Sequence, residues 1–209
     1  MGLYAGNVVW FMAAPPPLPL PGSKADTILL ESIKKKGEQL PIVKSLTEDP
    51  NWTYYDAYEA LAPEDRGNRL STGPLGGGRA LGGFQRIFYN AETGECVTVV
   101  FVGGALAGWP TSTHGGALAT ILDESMGRCA IRKLPGHTGV TASLYLLYFN
   151  PVHTNSFYVI RATPVEEGST DKKQNVHANI ENLDGQVLVG ATGLFVVPKN
   201  YKTQPLPRM

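Results

Sequence analysis

The chain is short of the features that commit a protein to most specialised classes. It has two cysteines, Cys96 and Cys129, in 209 residues, so a disulfide scaffold is excluded and a reducing compartment is expected. It has no excess of either charge, since 18 Lys and Arg balance 18 Asp and Glu. That balance gives no overall pull toward nucleic acid or an anionic membrane, and no nucleic-acid partner is expected. No apolar run approaches the roughly 20 residues of a membrane-spanning helix. The stretch from Asn7 to Ala14 is stopped by Pro15-Pro16-Pro17. No Lys precedes Lys24 and no Arg precedes Arg66. The basic region of a secretory signal and the arginines of a mitochondrial presequence are therefore both missing. His114, His137, His153 and His177 lack metal-ligand spacing, and Gly76-Gly77-Gly78 is not followed by Gly-Lys-Ser/Thr. Neither a metal centre nor a phosphate loop is expected. An intracellular, cytoplasmic protein is the expectation, with the mitochondrion or peroxisome as alternatives; Pro207-Arg208-Met209 is only distantly similar to the peroxisomal tripeptide.

What is present points to one α+β domain with an arm. A hydrophobic fraction of 43% supplies a core, and 24 glycines with 16 prolines favour strands and turns over a helical bundle. Residues 1–70 read as an N-terminal extension: a Pro-rich arm to residue 23, a helix over 26–36 capped by Asp26, and a second helix around Trp52–Leu61. Lys34-Lys35-Lys36 falls at the C-terminal end of the first helix, where cations suit the dipole, and reads as a solvated helix end. Residues 71–200 form the main domain, and 201–209 a tail. Ser71–Gly83 is a turn-rich loop, and Phe84–Tyr89 and Glu95–Val102 are strands joined by a turn. Thr113–Arg132 has helical spacing with apolar residues over more than one face, which predicts a buried helix. Four strands follow: Gly139–Phe149, Ser156–Val165, Gln174–Asn182 and Val187–Val197. Helices do not alternate with strands, so an antiparallel sheet wrapped around one long central helix is predicted.

The sharpest motif lies at the start of that helix, in His114-Gly115-Gly116 followed by Leu118, Leu122 and Asp123. A pair of glycines in a first turn exposes N–H groups that have no partner within the helix, at the end where the dipole favours negative charge. That is what an oxyanion hole requires, and close helix–sheet packing is the other use of such glycines. Asp123, among Ile121, Leu122 and Met126, is costly in an apolar helix unless paired or functional. It lies eight residues beyond Gly115, about 12 Å along the helix at ~1.5 Å per residue. One carbonyl cannot touch both groups on one helix. If both serve one site, two antiparallel helices across a two-fold axis must supply them, and the protein is a dimer with shared sites.

This constellation resembles the hotdog-fold thioesterase superfamily, and within it the acyl-CoA thioesterases of the phenylacetate-pathway type and their mitochondrial relatives. The strand Val140-Thr141-Ala142-Ser143-Leu144, continuing to Tyr148 and Pro151, is similar to that group as well. The resemblance covers about 84–197. It implies that the Gly115 amide, beside His114, polarises the carbonyl of an acyl-CoA thioester. Asp123 is then the base for water or a nucleophile, and Thr141 helps to hold the water. His114 orients the helix start. Gly116, Leu118 and Leu122 are expected against the substrate, with the acyl chain in a slot between subunits. No cofactor is required, and the assembly is a homodimer or a tetramer of two dimers. The family's Asn six residues before the His is replaced by Gly108. Three other roles share the motif in part: release of a polyketide or aromatic product from a carrier protein, a dehydratase or hydratase, and a non-catalytic acyl-binding module.

Overall fold

The computed structural model describes residues 17–198. Helix α1 (Lys24–Gln39) and helix α2 (Pro41–Glu48) come first, then strand β1 (Trp52–Asp56) and the short α3 (Pro63–Arg66). Strands β2 (Gln85–Asn90) and β3 (Cys96–Val102) form a hairpin. A two-stranded ribbon, β4 (Ala107–Trp109) with β5 (Ser112–Thr113), leads into helix α4 (Gly115–Lys133). Strands β6 (Val140–Tyr148), β7 (Ser156–Thr170), β8 (Lys173–Glu181) and β9 (Val187–Val196) complete the chain. One antiparallel sheet runs β1-β2-β3-β7-β8-β9-β6, with β1 and β6 at its edges.

Helix α4 lies across one face of this sheet, as its apolar pattern predicts. Leu118, Ile121, Leu122, Met126, Cys129 and Ala130 pack with Val100, Ile160, Val176, Ile180 and Phe195 in the main core. Burying each large aliphatic side chain contributes roughly 2 kcal/mol. The strand β8 shows the expected alternation: Gln174, Val176, Ala178 and Ile180 are buried, while His177 and Asn179 are exposed.

The other face is covered by α1 and α2. Ile33, Val43 and Leu46 pack there with Phe88, Val97, Val99, Phe101 and Val159. Strand β3 is therefore buried on both faces, and all of its residues are buried. Its run of apolar residues, broken only by the buried Thr98, reflects two cores reading alternate positions of one strand.

Several details differ from the sequence reading, among them the short α3, the ribbon β4–β5 in the loop expected between β3 and α4, and the extension of β7 to Thr170. Residues 52–56 are not a helix but the edge strand β1, in register with β2 from Trp52↔Asn90 to Asp56↔Arg86. The aromatic and β-branched run Trp-Thr-Tyr-Tyr suits a strand, and cross-strand pairing wins over weak helical periodicity. Helix α1 starts earlier and is capped by Ser23, whose side chain accepts from the Asp26 N–H. Asp26 instead is buried and accepts from the Gly22 and Gly78 amides, each at 3.0 Å, tying α1 to the glycine-rich loop. Helix α2, which begins with Pro41 at its first turn, was not expected. The first part of the Pro-rich arm, 1–16, and the tail, 201–209, lie outside the described residues.

Candidate active site

The ribbon β4–β5 delivers the chain to the start of α4. It is pinned by Thr113 N donating to the Val152 carbonyl at 2.7 Å and His114 N donating to Leu106 at 2.8 Å. Gly108 packs against His114 so closely that a Cβ there would sit 2.8 Å from His114 Cδ2. The smallest residue is thus required at 108, because the ribbon and the helix cap touch.

His114 is the N-cap of α4, with φ −61° and ψ 132°. Its Nδ1 accepts a hydrogen bond from the Gly116 N–H at 2.9 Å. The ring is held by its cap role, and its lone pair on Nδ1 is already engaged. It orients the helix start and is not placed as a free base. With the Gly116 amide satisfied by His114, the Gly115 N–H is the one left open: among the described residues it donates to no acceptor. Gly115 is the first residue of the helix, where an N–H has no intrahelical partner. A Cβ on Gly116 would meet the His114 ring at 3.1 Å, so the second glycine serves the cap.

Eight residues along the same helix, Asp123 receives a hydrogen bond from Thr141 Oγ1 at 2.7 Å. Thr141 is an exposed residue of the edge strand β6, at a register shift against β9 between Thr141 and Ser143. The irregularity falls at the strand position that meets Asp123. The threonine hydroxyl occupies Asp123 Oδ1 and leaves Oδ2 for another donor.

Leu118 and Leu122 are 3% and 0% exposed and belong to the main core. Helix phase turns them toward the sheet, so they are core residues of this chain and do not line the surface that carries Asp123. Gly116, Thr120, Asp123 and Gly127 recur at intervals of four, three and four residues, and none of them is buried. This is a shallow helix face of small side chains, on which another helix or a ligand can rest.

Tyr148 was not assigned a role from sequence. Its hydroxyl donates to the Gly115 carbonyl at 3.0 Å, and its ring lies 3.5 Å from where a Gly115 Cβ would be. It therefore clamps the first residue of α4 onto β6. The signal was its place at the end of the strand that begins with Thr141. Around these groups β6 exposes Val140, Tyr145, Leu147 and Tyr148, followed by the exposed Phe149, a heavy apolar load for an edge strand.

Residues 111–189, which hold His114, Gly115, Asp123 and Thr141, match the family model of the Thioesterase superfamily. Over 189 residues the chain is 31% identical to the acyl-coenzyme A thioesterase THEM4 of Bos taurus, covering 86% of this chain and 76% of that one. The chain belongs to the thioesterase superfamily. This thioesterase-superfamily chain is also 25% identical to an uncharacterized mitochondrial protein of Candida albicans, over 88% of its own length and 76% of the relative's. Its fold is shared with a thioesterase-like phenylacetic acid degradation-related protein of Ralstonia eutropha, with a TM-score of 0.52 and 22% identity, covering 66% of this chain and 93% of that one. The sheet around one helix is the hotdog fold of that superfamily. The chain spans only part of the length of its curated relatives, 65% of one and 49% of another.

Proposed function

We propose that this chain hydrolyses acyl-CoA thioesters to the free acid and CoA, using two sites built across a homodimer. The observation that carries the reading is the open Gly115 N–H at a helix start, on the same helix as the Thr141-bonded Asp123. In each site the thioester carbonyl oxygen would rest on Gly115 of one subunit. Asp123 and Thr141 would come from the other. Antiparallel pairing of α4 with its copy offsets the ~12 Å that separates the two groups on one helix. The small side chains at Gly116, Thr120 and Gly127 suit a close approach of helices or of an acyl group between them. The exposed apolar edge β6 suits pairing with its own copy.

In the proposed reaction, Asp123 Oδ2 takes a proton from water as the water oxygen attacks the carbonyl carbon. Negative charge develops on the carbonyl oxygen, where the Gly115 N–H and the dipole of α4 stabilise it. The tetrahedral intermediate collapses with rupture of the C–S bond, and the CoA sulfur receives the proton. The Thr141 hydroxyl, which donates to Asp123 Oδ1, keeps the carboxylate aimed and offers its lone pairs to the water. Tyr148 and His114 hold the helix start in place, one through the Gly115 carbonyl and the other through the Gly116 amide.

Residues 71–200 would carry the catalytic groups, with 1–70 supplying the edge strand β1 and the helices α1 and α2 that cover the outer sheet face. The relative from Candida albicans supports a mitochondrial setting in place of the expected cytoplasm, which cell fractionation would decide. The direct test of function is CoA release from short, long and aromatic acyl-CoAs by the native protein and Asp123→Asn. The reading expects turnover that falls about 10²-fold or more in a folded Asp123→Asn. Absence of turnover on every ester, or turnover that survives the substitution, would overturn it. Turnover only on carrier-bound thioesters would keep the chemistry and change the substrate.

A further inference from the structure

Away from Asp123, on the opposite face of the sheet, the end of α1, its junction with α2 and Phe157 of β7 border an open groove of about 570 Å³. Its walls are Ser32, Lys35, Lys36 and Gln39 of α1, Leu40 and Pro41 of the junction, and Phe157 of β7. The positions 32, 35, 36 and 39 form one stripe of α1. Its floor is apolar and fixed. Phe157 packs edge-on against Phe101 at 5.2 Å and Phe84 at 5.9 Å, so its ring is held from below. Leu40 is partly buried against the same cluster.

The rim is cationic. Lys35 and Lys36 are exposed, and neither forms an ion pair among the described residues. Glu38, on the same helix, reaches Arg86 at 4.0 Å instead, and Gln39 is engaged by the Lys44 ammonium at 2.7 Å. In a chain of zero net charge, two unpaired ammonium groups at the mouth of an apolar groove are a local feature. Lysine stems extend the apolar wall while their heads stay in water. An apolar floor with a cationic rim is complementary to an anionic amphiphile.

We propose that this groove binds the carboxylate form of a long-chain fatty acid, with the alkyl chain on Phe157, Leu40 and Pro41 and the carboxylate between Lys35 and Lys36. The site is separate from the one that holds Asp123, and the inference stands whether or not that one hydrolyses thioesters. If it does, the ligand belongs to the class of its acid product.

The test is titration of the full chain with monomeric palmitate, read by calorimetry and by amide hydrogen exchange. Native protein, Asp123→Asn and Lys35→Glu/Lys36→Glu are compared, with hexadecanol and hexadecyltrimethylammonium as probes of equal chain length. Both lysines are exposed, so the double variant is expected to fold, with a melting temperature lowered only by the loss of cations near the C-terminal end of α1. We expect palmitate to protect amides within 32–41 and around 157 in the native protein and in Asp123→Asn. Charge reversal is expected to weaken binding about tenfold or more, and the cationic amphiphile is expected to bind poorly to native protein. Equal palmitate affinity in native protein and double variant would overturn the proposal. So would protection confined to 113–126 and 140–148, which would place the ligand at the Asp123 site. Binding to anionic vesicles without binding of monomeric palmitate would overturn it in favour of a membrane surface.

Discussion

Thr141 Oγ1 donates to Asp123 Oδ1 at 2.7 Å, joining the edge strand β6 to the central helix at the one carboxylate on the helix's open face. The pair is accessible, so the bond is not a means of satisfying buried groups. It engages one carboxylate oxygen and leaves the other to accept from a further donor.

The role of Thr141 is separable from a packing role by two substitutions. Thr141→Ala removes the hydroxyl and is expected to lower kcat about 10-fold to 10²-fold, with little change in melting temperature, because the residue is exposed. Thr141→Ser keeps the hydroxyl and is expected to recover most of the loss. Steady-state kinetics on one acyl-CoA, beside thermal melts, check this. Equal loss in Ala and Ser variants would make the methyl group, and not the hydroxyl, the feature that matters.

The cover formed by α1 makes its own prediction. Gly37 is buried in the last turn of α1, where a helical glycine exchanged for alanine ordinarily gains up to about 0.5–1 kcal/mol. Here a Cβ would lie 2.5 Å from the Phe84 ring. Phe84 is buried, so the ring has little room to give. Gly37→Ala is expected to lose about 1–3 kcal/mol by denaturant melts, the opposite sign to the usual exchange. A stabilised variant would mean that α1 does not pack on the sheet this closely.

A third prediction concerns alkaline pH. Tyr58 is buried beside α4, and burial pushes its hydroxyl from the ordinary 10 up to about 12, while the Arg128 guanidinium partly opposes that rise. The Arg128 carbon lies 5.1 Å from the Tyr58 ring centroid. A tyrosine whose proton is held more tightly in the folded chain makes the unfolded chain the better acid. Stability is therefore intact below pH ~10 and falls as pH rises from there toward ~12, by an amount on the order of 2 kcal/mol. Burial also raises Tyr89 and Tyr158, so Tyr58→Phe is expected to flatten the fall without abolishing it. Melting temperatures between pH 9 and 11.5 for both proteins check the slope. Identical slopes would show that Tyr58 does not couple folding to pH.

Much of this architecture is legible in the residues wherever an element has a single partner surface or is long enough to show its period. The period of β8 and the broad apolar face of α4 each follow from one core. Strand β1 was missed because its identity is decided across the sheet, by its register with Arg86–Asn90. Helix α2 was missed because eight residues carry too short a pattern, and its apolar Val43 and Leu46 make sense only on the second sheet face. At the site, the glycine pair and Asp123 were visible as departures from what a buried helix prefers. Two features are set only by tertiary structure: which of the two amides His114 leaves open, and the reach of Tyr148 to the Gly115 carbonyl. Hydrogen bonds across 33 residues leave no spacing to read.

The central claim is that Gly115 and Asp123 act together only when they come from different subunits. Gly115→Pro removes the amide proton at a helix position that tolerates proline, and His114 already has the extended backbone that a following proline requires. Asp123→Asn removes the base. Each variant is expected to be folded, dimeric by native mass and nearly inactive by itself. The decisive measurement is CoA release after the two are mixed in equal amounts, unfolded and refolded together. Half of the dimers would then be mixed, each with one doubly defective site and one intact site, so the account predicts recovery of about a quarter of native activity. Mixed dimers that form and yet show no more activity than either variant alone would contradict it, since every site would then draw both groups from one chain.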